Sequence, residues 1–177
     1  MMTDDPDAHP IESPDERPRA GAGALASSAR RALIVARAGR HRLAVFADES
    51  EGVSKFSDPA PLPFAPPAVL GVIAVRGRMR TLIDPLPLLQ ATATPAPTVD
   101  DAAPAIALLL KGDEQLALAV AGVERAADVS ADSILPLEPA HDFARGTITL
   151  DGAHVLVLDP ARLFEAAMRG HERRRGR

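Results

Sequence analysis

Residues 71–85 read GVIAVRGRMRTLIDP, and this stretch decides the fold of the 177-residue chain. An apolar segment rich in β-branched residues is broken by Arg76-Gly77 and followed by residues 78–83, which predicts two antiparallel strands joined by a tight turn. Asp84 can accept hydrogen bonds from the free N–H groups of a following helical turn, and Pro85 has no N–H to leave unpaired there. The stretch therefore predicts a hairpin that runs into a short helix.

The same pattern recurs 75 positions later, where residues 146–160 read GTITLDGAHVLVLDP. Again a strand, a turn containing glycine and a second strand are followed by Asp-Pro, here Asp159-Pro160. Upstream, residues 39–46 match residues 112–119 at an offset of 73. A duplicated pattern of this length predicts two copies of one β-rich unit.

These segments resemble those of the CheW-like chemotaxis coupling domains. That family has a glycine hairpin and strand, then an apolar Gly-Val-Ile-x-hydrophobic-Arg-Gly segment, then a strand that ends in Asp before a short helix. The matching segments of the first half are residues 39–46, 71–77 and 78–89, and those of the second half are residues 111–123, 134–136, 145–146 and 156–164. The resemblance extends over roughly residues 32–168.

Four positions depart from the family pattern. Gly52 stands where an acidic residue is usual, Thr81 replaces a usual proline, Pro85 begins a departure after Asp84, and Ala121 replaces a usual Asp. The scaffold remains compatible with these changes. They weaken the inference to a standard set of partners and raise the question of whether a standard contact is lost.

The predicted fold is all-β with short helices. Each half has about five short strands and one short helix, and closure into barrels would remove the exposed edges of such strands. The resemblance implies the same architecture, namely two small five-stranded β-barrels in one pseudo-duplicated domain. We expect a disordered arm at residues 1–29, a first barrel at about 30–90, a linker at about 91–104, a second barrel at about 105–169 and a basic tail at residues 170–177.

Composition excludes several classes of function. The chain has no Cys, which excludes disulfides and thiolate chemistry, and no Trp or Tyr to stack on single-stranded nucleic acid. The formal net charge of -4 gives no general attraction for polyanions. The acidic, proline-containing start is unlike a secretory signal, and no apolar run reaches the roughly 18 residues of a membrane span, so we expect a cytoplasmic protein.

The sequence contains little that indicates catalysis. Asp84 and Asp159 could in principle form an acid/base pair, but each precedes a proline and an apolar helix, which favours helix capping. The five His residues show no metal-ligand spacing, no serine lies in a nucleophile elbow, and no glycine-rich phosphate loop follows a strand. We therefore expect no enzymatic activity, no cofactor and no metal.

Arginines around the first hairpin are the best candidates for binding. Because side chains alternate along a strand, Arg78 and Arg80 should project from one face while Met79 points inward. Such a face can be merely solvated, or it can bind carboxylates of a partner through the planar guanidinium groups. The family's Arg-Gly motif, matched by Arg76, lies where the domain meets the receptor. The candidate partner-binding residues are Val75, Arg76, Gly77, Arg78 and Arg80.

The resemblance implies a non-catalytic scaffold that couples a chemoreceptor to a histidine kinase. Its expected partners are the cytoplasmic tip of a methyl-accepting chemoreceptor and the regulatory domain of a CheA-type kinase, with no nucleic acid and no membrane insertion. Two alternatives remain open from the residues themselves: a small β-barrel that binds nucleic acid through its arginines, and a generic protein-interaction module.

Overall fold

The computed structural model describes residues 30–90, 103–138 and 141–169. The first half contains β1 (Arg30–Ala38), β2 (His41–Phe46), β3 (Ser50–Lys55), β4 (Val69–Val75), β5 (Arg78–Ile83) and α1 (Leu86–Gln90). The second half contains β6 (Ile106–Leu110), β7 (Leu116–Val120), β8 (Gly122–Ser130), β9 (Ala144–Leu150), β10 (Ala153–Leu158) and α2 (Pro160–Arg169). The predicted arm and tail and most of the linker lie outside the described residues.

Each half thus supplies five strands and one short helix, as the duplicated pattern predicts, and the described part of the chain is mostly β. The strands form two five-stranded sheets, ordered β8-β1-β2-β10-β9 and β3-β6-β7-β5-β4. The prediction of closed barrels is not confirmed, because the outer strands of each sheet are not hydrogen-bonded to each other. The first sheet is curved instead of closed. Apolar side chains from all five of its strands pack together in one cluster on one face of the sheet.

The two sheets do not coincide with the two halves of the sequence. The first sheet joins the β1–β2 hairpin of the first half to β8, β9 and β10 of the second, and the other sheet joins β6–β7 of the second half to β3, β4 and β5 of the first. Parallel pairs make both joins, β2 with β10 and β5 with β7. The predicted assignment of one barrel to residues 30–90 and another to 105–169 therefore differs from the observed topology. In the structure, the first hairpin of each repeat is part of the sheet that contains the remaining strands of the other repeat.

Three apolar clusters follow from this arrangement. One lies inside each curved sheet. The third, the central cluster, lies between the sheets and includes Leu163 of α2 and Leu88 and Leu89 of α1. β7 is buried at every position, with Leu116, Leu118 and Val120 facing the central cluster and the two alanines between them facing the cluster of their own sheet. A continuous apolar run is expected of a strand buried on both faces, and β7 is such a strand.

Two glycines show how closely the repeat is conserved in three dimensions. The backbone of Ala60 is paired with Val72, and that of Leu135 is paired with Thr147. A Cβ atom on Gly71 would overlap the carbonyl oxygen of Ala60, and one on Gly146 would overlap that of Leu135. Glycine is required at both positions because a second backbone segment passes directly over the strand.

Candidate partner-binding surface

The turn between β4 and β5 presents the arginine singled out by the sequence. Val75 pairs with Arg78, so Arg76-Gly77 is a two-residue turn, and the φ angles of 52° and 76° are both positive as a type I′ turn requires. The side chain of Arg76 is exposed, and so are Gly77 and Arg78. Val75 is 8% exposed and packs inside the sheet, so it supports the turn from below.

Arg80 lies in a different environment from the one predicted. Arg78 and Arg80 do share a face of β5, but at Arg80 that face is the inner one: Arg80 is 2% exposed, whereas Met79 is 71% exposed. The expected orientation, with Met79 inside, is wrong. The reason is that Leu82, two residues further on, lies in the cluster inside the sheet and places Arg80 on the same side of the strand.

The charge of Arg80 is compensated internally. Its guanidinium pairs with the carboxylate of Glu51 on β3 and donates hydrogen bonds to the carbonyl oxygens of Leu110 at 3.1 Å and Leu116 at 3.4 Å. These partners belong to β3, β6 and β7, so one side chain links β5 to three other strands. Arg80 is therefore not available to a partner at the surface, and of the three candidate arginines only Arg76 and Arg78 are exposed.

The departures from the family pattern have local consequences. Gly52 has φ 112° and lies at a β-bulge, which leaves the adjacent Glu51 to reach Arg80. Thr81 donates its backbone N–H to the carbonyl oxygen of Gln115 at 3.0 Å, a bond that a proline could not make. Ala121 donates its N–H to the carbonyl oxygen of Arg37 at 2.7 Å.

Both Asp-Pro motifs cap the helix that follows. The Oδ1 atom of Asp84 accepts a hydrogen bond from the N–H of Leu86 at 2.9 Å, and Oδ1 of Asp159 accepts one from the N–H of Ala161 at 3.2 Å. The capping interpretation is confirmed at both positions. The two carboxylates occupy equivalent places in the two repeats, at the start of two different helices.

A network of charges that the sequence did not indicate joins the start of β1 to β9 and α2. Arg31 donates to both carboxylate oxygens of Asp48, at 2.7 and 2.8 Å, and Arg145 pairs with Glu49 at 2.7 Å and with Asp159 at 3.4 Å. The hydrogen bond from Arg31 holds the pKa of Asp48 below its ordinary value. The residues are distant in sequence, so no local pattern could reveal the network.

The buried ring of Phe46 lies beneath two of these arginines. The guanidinium of Arg31 lies 3.5 Å from the ring centroid and that of Arg145 lies 5.3 Å from it. Cation–π attraction and ion pairing therefore act on the same groups, which fixes their side chains in place. Arginines held in this way belong to the structural frame, in contrast to Arg76 at its exposed turn.

Exposed apolar side chains form a further feature that sequence reasoning missed. Phe64, in the proline-rich loop before β4, is 92% exposed, and Leu62 in the same loop is 43% exposed. In the β4–β5 hairpin, Met79 lies opposite Ala74, which is also exposed. The five prolines of residues 59–67 are typical of a loop, but proline content does not indicate which side chains that loop presents.

Within residues 30–90, 103–138 and 141–169, no group of three or more His, Asp or Glu side chains is placed to hold a metal ion. In the same ranges no helix has the length and apolar character needed to cross a membrane.

Comparisons with known proteins agree with the resemblance noted in the sequence. The CheW-like domain family matches residues 32–168, which is most of the chain, and the chain belongs to this family. No curated protein gives a significant match in sequence. The fold is similar to that of the scaffolding protein TtCheW from Thermoanaerobacter tengcongensis, with a TM-score of 0.60, 15% sequence identity, and coverage of 87% of this chain and 91% of that one. At that identity the structural likeness concerns the fold alone.

Proposed function

We propose that this protein is a non-catalytic scaffold that couples a chemoreceptor to a CheA-type histidine kinase in a chemosensory pathway. Membership of the CheW-like family supports a role as a chemotaxis scaffold or adaptor. The partners are the cytoplasmic tip of a methyl-accepting receptor and the regulatory domain of the kinase, which places the protein in the cytoplasm. No cofactor and no nucleic acid takes part.

The observation that carries this proposal is the exposed Arg76 on a rigid turn. Both turn residues have positive φ, so the backbone is held in a conformation that a non-glycine residue adopts at a cost of roughly 1 kcal/mol. Val75 anchors the turn from inside the sheet. The turn thereby fixes where the Arg76 side chain leaves the backbone, and its planar fork of donors suits a carboxylate on the receptor.

The apolar face beside the turn complements this charge. Met79 and Ala74 are exposed side by side across the two strands. Arg78, next to Gly77 of the turn, is exposed as well and adds a second positive charge. A helical receptor tip with an apolar stripe and a flanking acidic residue matches this combination, because apolar contacts supply affinity and rim charges set partner choice. Val75 and Gly77 support the contact by shaping the turn.

The test is the substitution Arg76→Ala, measured by titration against the cytoplasmic fragment of the cognate receptor. We expect the free energy of unfolding to change by less than about 0.5 kcal/mol, since the side chain lies in solvent. Receptor affinity should fall by about 1 to 3 kcal/mol, and Arg76→Lys should restore only part of it because the fork geometry is lost.

Circular dichroism is the folding control, and Arg40→Ala is the matched variant, because Arg40 is an exposed arginine at the β1–β2 turn. Unchanged receptor affinity for Arg76→Ala would remove Arg76 from the contact. Binding to duplex DNA that weakens steeply between low and moderate salt would instead favour the nucleic-acid alternative.

A further inference from the structure

Phe64 lies in a loop whose backbone is fixed at several points. Ala60 exchanges two backbone hydrogen bonds with Val72, at 2.8 and 2.9 Å. The N–H of Ala65 donates to the carbonyl oxygen of Leu62 at 3.3 Å, and that of Val69 donates to the carbonyl oxygen of Pro66 at 2.9 Å. Five prolines between residues 59 and 67 restrict the remaining freedom of the chain. Phe64 is therefore presented by an ordered segment.

The exposure of Phe64 and its backbone conformation both cost free energy in the protein without a partner. Phe64 is 92% exposed, although an aromatic ring gains most from burial. Its φ angle is 58°, in the left-handed region that a bulky residue rarely adopts. An exposed aromatic residue on a strained, rigid backbone is the arrangement expected of a binding anchor.

We propose that Phe64 inserts into an apolar pocket of a folded partner domain, and that this partner is the regulatory domain of the histidine kinase. The assignment rests on the proposed function. A single ring at the tip of a loop requires a concave pocket, which a globular domain offers and a slender helical receptor tip does not.

The composition of the loop around Phe64 favours a protein pocket over a membrane surface as the binding partner. Asp58 is the only charged residue between Phe56 and Ala68, so the loop has no cation to attract an anionic membrane.

The position of Phe64 separates it from the receptor contact. Phe64 precedes the start of β4, whereas Arg76 follows its end, and a seven-residue strand is about 20 Å long. The two residues can therefore engage different partners at the same time, which is what a coupling protein requires.

The experiment titrates the cognate kinase regulatory domain and, separately, the receptor cytoplasmic fragment into three forms of the full chain: wild type, Phe64→Ala and Phe64→Gly. We expect both substitutions to weaken kinase-domain binding by about 30-fold or more, the usual loss for an aromatic anchor, and to leave receptor binding unchanged. Phe64→Gly should keep or raise the melting temperature, because glycine adopts this φ without strain.

Leu135→Ala is the matched control, since Leu135 is 61% exposed and lies in the other half of the chain. Kinase-domain binding that is unaffected by Phe64→Ala, or reduced equally by Leu135→Ala, would overturn the inference and leave the proposed function standing. Weakened receptor binding with intact kinase-domain binding would also overturn it. A wild-type chain that binds neither domain would remove both the inference and the proposed function.

Discussion

Arg80 and Glu51 form a partly buried ion pair within the second sheet. Arg80 is 2% exposed, and the side chain of Glu51 is 30% exposed, so the arginine carries most of the desolvation cost. An arginine in such a place is tolerated because its charge is balanced and two of its donors reach backbone carbonyl groups. Removing one partner of the pair should therefore cost more free energy of unfolding than the intact pair contributes to stability.

The first prediction at this scale concerns Glu51→Ala. Removing the carboxylate leaves the guanidinium buried without its counter-charge, and we expect a loss of about 3 kcal/mol in the free energy of unfolding. The double substitution Glu51→Ala with Arg80→Leu should recover most of that loss, because an apolar side chain replaces the charge. Urea denaturation of the single and double variants measures both effects.

Arg78→Ala is the control for this cycle, because Arg78 lies on the same face of β5 but is exposed. It should change the free energy of unfolding by less than about 0.5 kcal/mol. A Glu51→Ala variant that is as stable as wild type would show that the guanidinium finds water or another partner when the carboxylate is absent.

At the scale of elements, the hairpin-and-helix unit is built twice with the same parts. Arg76-Gly77 and Asp151-Gly152 have nearly equal φ angles, 52° and 76° in one turn and 49° and 73° in the other. The unit ends in each case with an Asp that caps a helix. The turns differ in charge, and that difference gives the two equivalent hairpins different surfaces on one backbone.

Replacing either capping Asp tests this equivalence. Asp84→Ala and Asp159→Ala should each cost on the order of 1 kcal/mol, the usual loss for an N-cap, while binding to partners is retained. Asp159 also pairs with Arg145, but that arginine is held by Glu49 at a shorter distance, so the additional loss should be small. Thermal unfolding followed by circular dichroism measures the change.

Asp84→Asn and Asp159→Asn keep the accepting Oδ1 atom and serve as controls, with losses of only a few tenths of a kcal/mol expected. If an alanine variant stayed fully folded and lost its partner, these carboxylates would belong to the binding surface instead.

At the scale of the whole molecule, the sequence predicted the parts better than their assembly. The duplicated unit, its turns, its caps and the doubly buried strand β7 all follow from local patterns, and the structure contains them. Alternation also correctly placed Arg78 and Arg80 on one face of β5. It could not identify the inner face, because that depends on which strands pair with β5, and its neighbour β7 comes from the other repeat.

The same long-range pairing explains why the predicted barrels differ from the observed sheets. Local periodicity identifies strands but not the parallel contacts of β2 with β10 and β5 with β7, which join segments far apart in the chain. The exposure of Phe64 escaped prediction for a related reason. Proline content identifies a loop, whereas the direction of a side chain within it depends on the backbone contacts that hold it.

The exchange of first hairpins between the two repeats makes the halves mutually dependent. Without the second half, β1 and β2 lose β8 on one side and β10 on the other, and β5 loses β7. The central cluster also draws residues from both halves, including Leu43 and Leu108. A half-chain would therefore expose strand edges and apolar faces that it cannot bury by itself.

The last prediction follows from this dependence. Separate polypeptides of residues 30–90 and 103–169 should each lack a cooperative unfolding transition, and an equimolar mixture should regain the strand signal in circular dichroism and a single transition whose midpoint rises with concentration. A covalent chain of residues 30–169 is the control for the native transition. A cooperative transition in either fragment alone would contradict the interlocked topology, because it would show that one repeat can pair all its strands without the hairpin of the other.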